Sequence, residues 1–123
     1  MSTSHNFIAT AAGVDENEDC LVATLDSAAD AYLMFQRHPE PGHDDDNGVY
    51  VEIDDQTNAG FNIVDRCVVT PTDILVNLTS ALKGHAELRA TFNMPLDELA
   101  AFTVMLHRIF IGFDDRLVME TQT

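Results

Sequence analysis

The chain has 123 residues, with 21 Asp and Glu against 6 Lys and Arg, a formal charge of −15. That length sets an expectation of one domain over residues 1–123, and 46% hydrophobic residues suffice for a real core. Such a charge repels nucleic-acid phosphates and anionic membrane surfaces, and it favours basic partners through steered encounter.

The acidity has a plainer reading beside this one. Lys83 is the only lysine and Asp outnumbers Glu, a composition also found in salt-adapted proteins, where it serves solubility. The N-terminus, Met1 to Asn6, has no basic stretch followed by an apolar run, and no segment reaches the roughly 18 apolar residues of a membrane span. Cys20 and Cys67 form no CxxC pair and read as reduced, buried thiols. A cytoplasmic protein is the expectation.

In chain order, Asn6–Val14 reads as a first strand, and Asp15–Asp19 as a solvated turn. Cys20–Leu25 then returns to complete a hairpin. Ala31–Arg37 puts Leu33 and Phe35 on one face and Tyr32 and Met34 on the other, the pattern of a central strand. His38–Gly48, with its prolines, glycines and aspartates, reads as a loop.

Val49–Asp54 is the clearest strand. Val49, Val51 and Ile53 alternate with Tyr50, Glu52 and Asp54, so the apolar set should face inward and the polar set solvent. Asp55–Asn62 reads as a polar loop. Ile63–Thr70 and Asp73–Thr79 form a hairpin candidate, with Ile74, Val76 and Leu78 on one face. Ala86–Asn93 alternates again, with Leu88, Ala90 and Phe92 inward.

Pro95–Ile111 reads as a helix, with Pro95 at its first position and Asp97 and Glu98 in the first turn. Arg108 stands near its end and Gly112 offers a left-handed stop. Leu99, Phe102, Leu106, Ile109 and Phe113 make one apolar stripe that needs a sheet to cover. The tail Asp114–Thr123 adds at most a short element. The expected class is α+β, a meandering antiparallel sheet with one long C-terminal helix packed on one face.

Tests for chemistry give little. Placing Gly48 at the glycine of a calcium loop puts His43 and Asp54 where Asp and Glu are required, so the EF-hand pattern fails. His5, His38, His43, His85 and His107 show no HxH or HxxxH spacing, and no nucleotide or nucleophile motif occurs. Paired carboxylates at Glu52, Asp54 and Asp55 could do acid–base work, or simply bind water or a partner.

Three blocks carry a resemblance: Tyr32–Arg37, Gly48–Gln56 followed by Asn58–Phe61, and the helix end Leu106–Phe110. In this order and spacing the chain, from about Asp30 to Gly112, resembles the immunity protein 10 family of bacterial polymorphic toxin systems. The loop before Gly48 is compact and unusually rich in aspartate, and the segment to Asp26 and the tail match weakly. The resemblance implies a small cytoplasmic α+β protein that binds a cognate toxin domain and blocks it. Such a protein needs neither catalytic group nor cofactor.

Clustering around one strand makes Asp44, Asp45, Asp46, Tyr50, Glu52, Asp54 and Asp55 the candidate contact patch for a basic toxin domain such as a nuclease. Gln56, Asn58, Gly60 and Phe61 would shape the adjacent loop, with Gly60 a candidate for positive φ and Phe61 either a contact anchor or, the favoured reading, part of the core. Two alternatives stand beside this: a metal-dependent enzyme using the carboxylates around Glu52 and Asp54, and a self-associating structural or regulatory module.

Overall fold

The computed structural model describes residues 3–17, 20–28, 31–37 and 48–120; for 3, 4 and 56 the backbone alone is described. Strands β1 (Thr3–Ala9), β2 (Ala11–Glu16), β3 (Leu21–Asp26), β4 (Tyr32–Arg37), β5 (Tyr50–Ile53) and β6 (Asp55–Phe61) come first. Then follow β7 (Val64–Val69), β8 (Asp73–Leu82), β9 (His85–Phe92), helix α1 (Leu96–Ile109), a 3₁₀ turn at Asp114–Arg116 and β10 (Leu117–Met119).

The class is α+β, but the strands divide between two sheets of five where one meander was expected. The first has the order β1-β9-β8-β7-β10 and the second β2-β3-β4-β5-β6. The second is antiparallel throughout. The first is antiparallel in its middle, with β1 parallel to β9 and β10 parallel to β7 at its edges.

The division originates at Thr10. A single residue separates β1 from β2, and it moves the chain from one sheet to the other. The Thr10 N–H donates to Asp26 O in the second sheet, while Ala9 O accepts from Asn93 N–H beside the first. The expected strand Asn6–Val14 is therefore two strands, and the hairpin is β2–β3. A one-residue step carries no apolar or turn signature, so sequence pattern shows no break there.

Alternation sets which faces meet. Leu21, Ala23, Leu25, Leu33, Phe35, Val51 and Ile53 of the second sheet are buried, as are Ile74, Val76, Leu88 and Ala90 of the first. They join Phe102, Leu106, Ile109 and Phe110 in one cluster. Burying an apolar side chain of this size contributes about 1.5–3 kcal/mol, so the cluster is the main source of stability.

The helix packs on the second sheet, as its stripe requires. Glu98 Oε1 accepts the Ala12 N–H at 3.0 Å, and Arg108 meets Glu16 with a bidentate pair at 2.7 and 2.8 Å. At its C-terminal cap, Phe110 meets Phe35 edge-on, with centroids 6.0 Å apart. Arg37 Nη1 donates to Ile109 O at 2.9 Å and also to Ile111 O, so a side chain from β4 satisfies helix-end carbonyls. Pro95 occupies the N-cap rather than the first helical position, and Gly112 has φ +89°. No helix among the described residues is long and apolar enough to cross a membrane.

The segment Asp55–Asn62, expected as a loop, is mostly the edge strand β6. An edge strand packs on one neighbour only and tolerates a polar sequence, so DQTNAGF carries no strand signal. The β5–β6 connection is Asp54 alone, at φ +60°, with a register shift after Glu52.

Candidate functional site

The resembling stretch around Gly48–Phe61 builds the β5–β6 hairpin. Its outward side chains lie beside those of β4. The register pairs Gln36 with Tyr50, Met34 with Glu52, Tyr50 with Phe61 and Glu52 with Ala59. Tyr32 stands one step diagonally from Glu52 on the same face, within reach of a long side chain.

Glu52 is not solvent-facing, contrary to the alternation-based expectation. It is 5% exposed, the only charged residue buried among those described. Tyr32 and Tyr50, both half-buried, close over it. The Tyr50 hydroxyl donates to Glu52 Oε1 at 2.5 Å and the Tyr32 hydroxyl donates to Oε2. One phenol from β4 and one from β5 thus occupy both carboxylate oxygens.

The phenols are held in their protonated form. Burial and the hydrogen bond to Glu52 push Tyr50 up to about 12 and raise Tyr32 further. Near neutral pH they are donors, not bases. Within ion-pair distance of Glu52 there is no Lys, Arg or His among the described residues. The arrangement is a buried carboxylate solvated by two neutral phenols, with no cation among the described residues in ion-pair reach.

Phe61 belongs to this face and not to the core, where it was expected. It is 53% exposed and its ring lies against Tyr50, centroids 5.0 Å apart. Gly60 has no positive φ; it is a strand residue opposite Val51 whose α-carbon is crowded by Ile63, where a Cβ would lie 2.9 Å from Cδ1. The left-handed glycine of this region is Gly48, at φ +63°.

Asp54 leaves the strand face altogether. Its left-handed backbone turns the carboxylate toward the first sheet, where Oδ2 lies 3.2 Å from Lys83 Nζ and 3.1 Å from His5 Nε2. The His5 contact is within ion-pair reach but lies off the line of an N–H bond. Lys83 is placed by a two-residue turn, Lys83 at φ +53° and Gly84 at φ +80°, joining β8 to β9. The His85 ring lies against His5 at a 36° tilt, with centroids 5.2 Å apart.

Asp55 is exposed and accepts the Thr57 N–H at 3.0 Å in a local turn. Asn58 is half-buried. Asp44, Asp45 and Asp46 lie outside the described residues, as does most of the expected loop. The hairpin therefore gathers Tyr50, Glu52 and Phe61, and it sends Asp54 to a different neighbourhood.

Sequence reasoning left out Tyr32, His5, Lys83 and His85. Tyr32 had a usable signal, since its outward position on the strand paired with β5 makes it a cross-strand neighbour of Glu52. The other three come from residues far along the chain, and nothing local announces them. No three His, Cys, Asp or Glu converge as a metal-holding group among the described residues. A groove of about 390 Å³ lies elsewhere, between α1 and the ends of β7 and β10, lined by Leu96, Leu99, Thr103 and Met119. No family model, no curated protein and no solved structure matches the chain.

Proposed function

We propose that the chain is an immunity protein that binds a cognate bacterial toxin domain in the cytoplasm and neutralises it without catalysis. The observation that carries this reading is the outward Tyr50–Phe61 pair, with Glu52 hydrogen-bonded to Tyr50 and Asp55 exposed at the far end of the same hairpin. Aromatic rings presented together on an acidic surface suit a protein contact, where tyrosine is favoured at energetic centres. The residues that form it are those that carry the resemblance.

Charge supports the same partner. A net −15 would speed association with a basic toxin groove such as that of a nuclease. The metal-enzyme alternative has less support, because Glu52 is committed to two phenols and Asp54 to Lys83 and His5.

The test is to identify the gene beside this chain and, where it encodes a C-terminal toxin domain, to co-express the two. Neutralisation should rescue growth, and purified partners should bind with a rate that falls as salt rises. Neutralising Asp44, Asp45 and Asp46 to Asn, and separately Glu52→Gln, should weaken binding and flatten its salt dependence. Unchanged affinity and salt slope in both variants would remove the patch; no rescue and no binding would remove the function.

A further inference from the structure

Burying a carboxylate without a counter-charge is costly even when hydrogen bonds solvate it. Glu52 is in that position, and the chain's described cations are placed elsewhere. Lys83 sits on Asp54, Arg108 on Glu16 and Arg89 near Asp73. Arg37 caps the helix, Arg116 donates to Asn62 and Val64, and Arg66 is exposed on β7 in the other sheet. Among the described residues, none supplies a cation to balance Glu52.

The two phenols define what kind of cation fits. A hydroxyl that donates to a carboxylate is polarised, and its oxygen becomes a better acceptor on its outer side. Tyr32 and Tyr50 therefore relay the Glu52 charge outward as two acceptor oxygens. Phe61 lies against the Tyr50 ring and offers an aromatic face at that end of the site. A planar, weakly hydrated guanidinium matches both features, since its forked N–H groups reach the oxygens while its face stacks on a ring. The chain uses the same stacking internally, where Arg37 and Arg116 lie 5.0 and 5.3 Å from the centre of the Phe113 ring.

We propose that Tyr32, Glu52, Tyr50 and Phe61 form a receptor for one arginine side chain of the protein partner. This rests on the binding-protein reading above and names the chemistry of its central contact. Arginine is preferred to lysine, whose compact, strongly hydrated ammonium cannot bridge two phenols and a ring at once.

The full chain is titrated with N-acetyl-arginine amide and, in parallel, with N-acetyl-citrulline amide, which has the same shape without the charge. Ring signals of the two tyrosines and of Phe61 are followed by NMR. The arginine compound should bind roughly tenfold more tightly than the citrulline compound, with the lysine analogue between them. Glu52→Gln and Tyr50→Phe should abolish the preference, while Asp65→Asn, which removes one exposed charge on β7 of the other sheet, should keep it. Should Glu52→Gln fail to fold, Tyr50→Phe carries the test. Equal responses to arginine and citrulline, a preference that survives either variant, or shifts confined to His5 and His85 would overturn the receptor. Rescue from the toxin with no arginine preference sinks the receptor alone. An arginine preference without rescue sinks the neutralisation reading alone.

Discussion

Asp54 and Tyr32 clasp each other in both directions. The Asp54 N–H donates to Tyr32 O at 3.2 Å, and Asp54 Oδ1 accepts the Tyr32 N–H at 2.9 Å. The same carboxylate meets Lys83 and His5, so one residue at φ +60° joins β4 to the edge of the other sheet.

Replacement at Asp54 should therefore follow backbone geometry as well as charge. Asp54→Ala keeps the backbone half of the clasp but loses its side-chain half and forces a left-handed alanine, at a combined cost of about 2–3 kcal/mol. Asp54→Gly loses the contacts but not the conformation and should cost about 1 kcal/mol less than alanine. Asp54→Asn keeps an acceptor and tolerates the conformation, so it should be the mildest. Urea unfolding of the three variants checks the order; alanine equal to glycine would mean that the backbone conformation is not held in solution.

The contrast between Asp54 and its strand neighbours shows what the sequence could disclose. Val49, Val51 and Ile53 are inside as period-two alternation requires, and Phe102, Leu106 and Ile109 are buried as their helical spacing requires. These positions are legible because local periodicity and burial coincide. Glu52 obeys the same alternation yet is buried, because Tyr32 and Tyr50 cover the outer face, and Tyr32 arrives from another strand. The two-sheet division and the parallel pairing of β1 with β9 depend on contacts some eighty residues apart, such as Phe7 with Ala90, for which periodicity has no term. Strand β6 stayed hidden for the opposite reason, since an edge needs so little from its side chains.

A pH effect follows from His5. Burial lowers its proton affinity below the ordinary 6.5, with His85 and Lys83 acting in the same sense and Asp54 pulling back. The unfolded chain then binds the proton more readily than the folded one. The contribution is complete above 6.5 and is lost as pH falls through 6.5 toward the lower folded value. Denaturation between about pH 8 and about pH 5.5 should show a smaller loss in His5→Gln than in the parent. Asp54→Asn removes the upward pull and should steepen the loss; an identical pH profile in His5→Gln and parent would exclude His5 as the source.

Two glycines make a paired test of the hairpin entrance. Gly48 has φ +63°, and a Cβ there would meet the Asn62 side chain at 3.1 Å. Gly48→Ala should cost about 1–2 kcal/mol from conformation alone. Gly13 lies in β2 with nothing within 4 Å of a Cβ, so Gly13→Ala should be neutral or slightly stabilising. Thermal midpoints of the two variants give the comparison, and equal midpoints would contradict the geometry at Gly48.

The cysteines should differ in reactivity. Cys67 is fully buried and burial pushes its thiol well above the usual range, whereas Cys20 is half-buried beside Gln36. A thiol reagent should modify Cys20 promptly and Cys67 only after denaturant is added. Prompt modification of both would place Cys67 in contact with solvent.

The tyrosines give the most direct view of the site, because the chain has only two of them and no tryptophan. Both phenols lie on Glu52, and both are raised above the ordinary 10, Tyr50 to about 12. In the unfolded chain they ionise near 10, so stability should be complete below that value and fall as pH rises through it toward the folded values. Ultraviolet titration of the folded chain should show no tyrosinate near pH 10, then a late rise that coincides with unfolding. Glu52→Gln removes the charge that the phenols face and leaves them buried, so both should ionise earlier while the fold is still intact. Tyr50→Phe should leave a single late transition, that of Tyr32. Ordinary ionisation near 10 in the folded parent would mean that the two hydroxyls do not rest on Glu52, and the arginine receptor would lose its base.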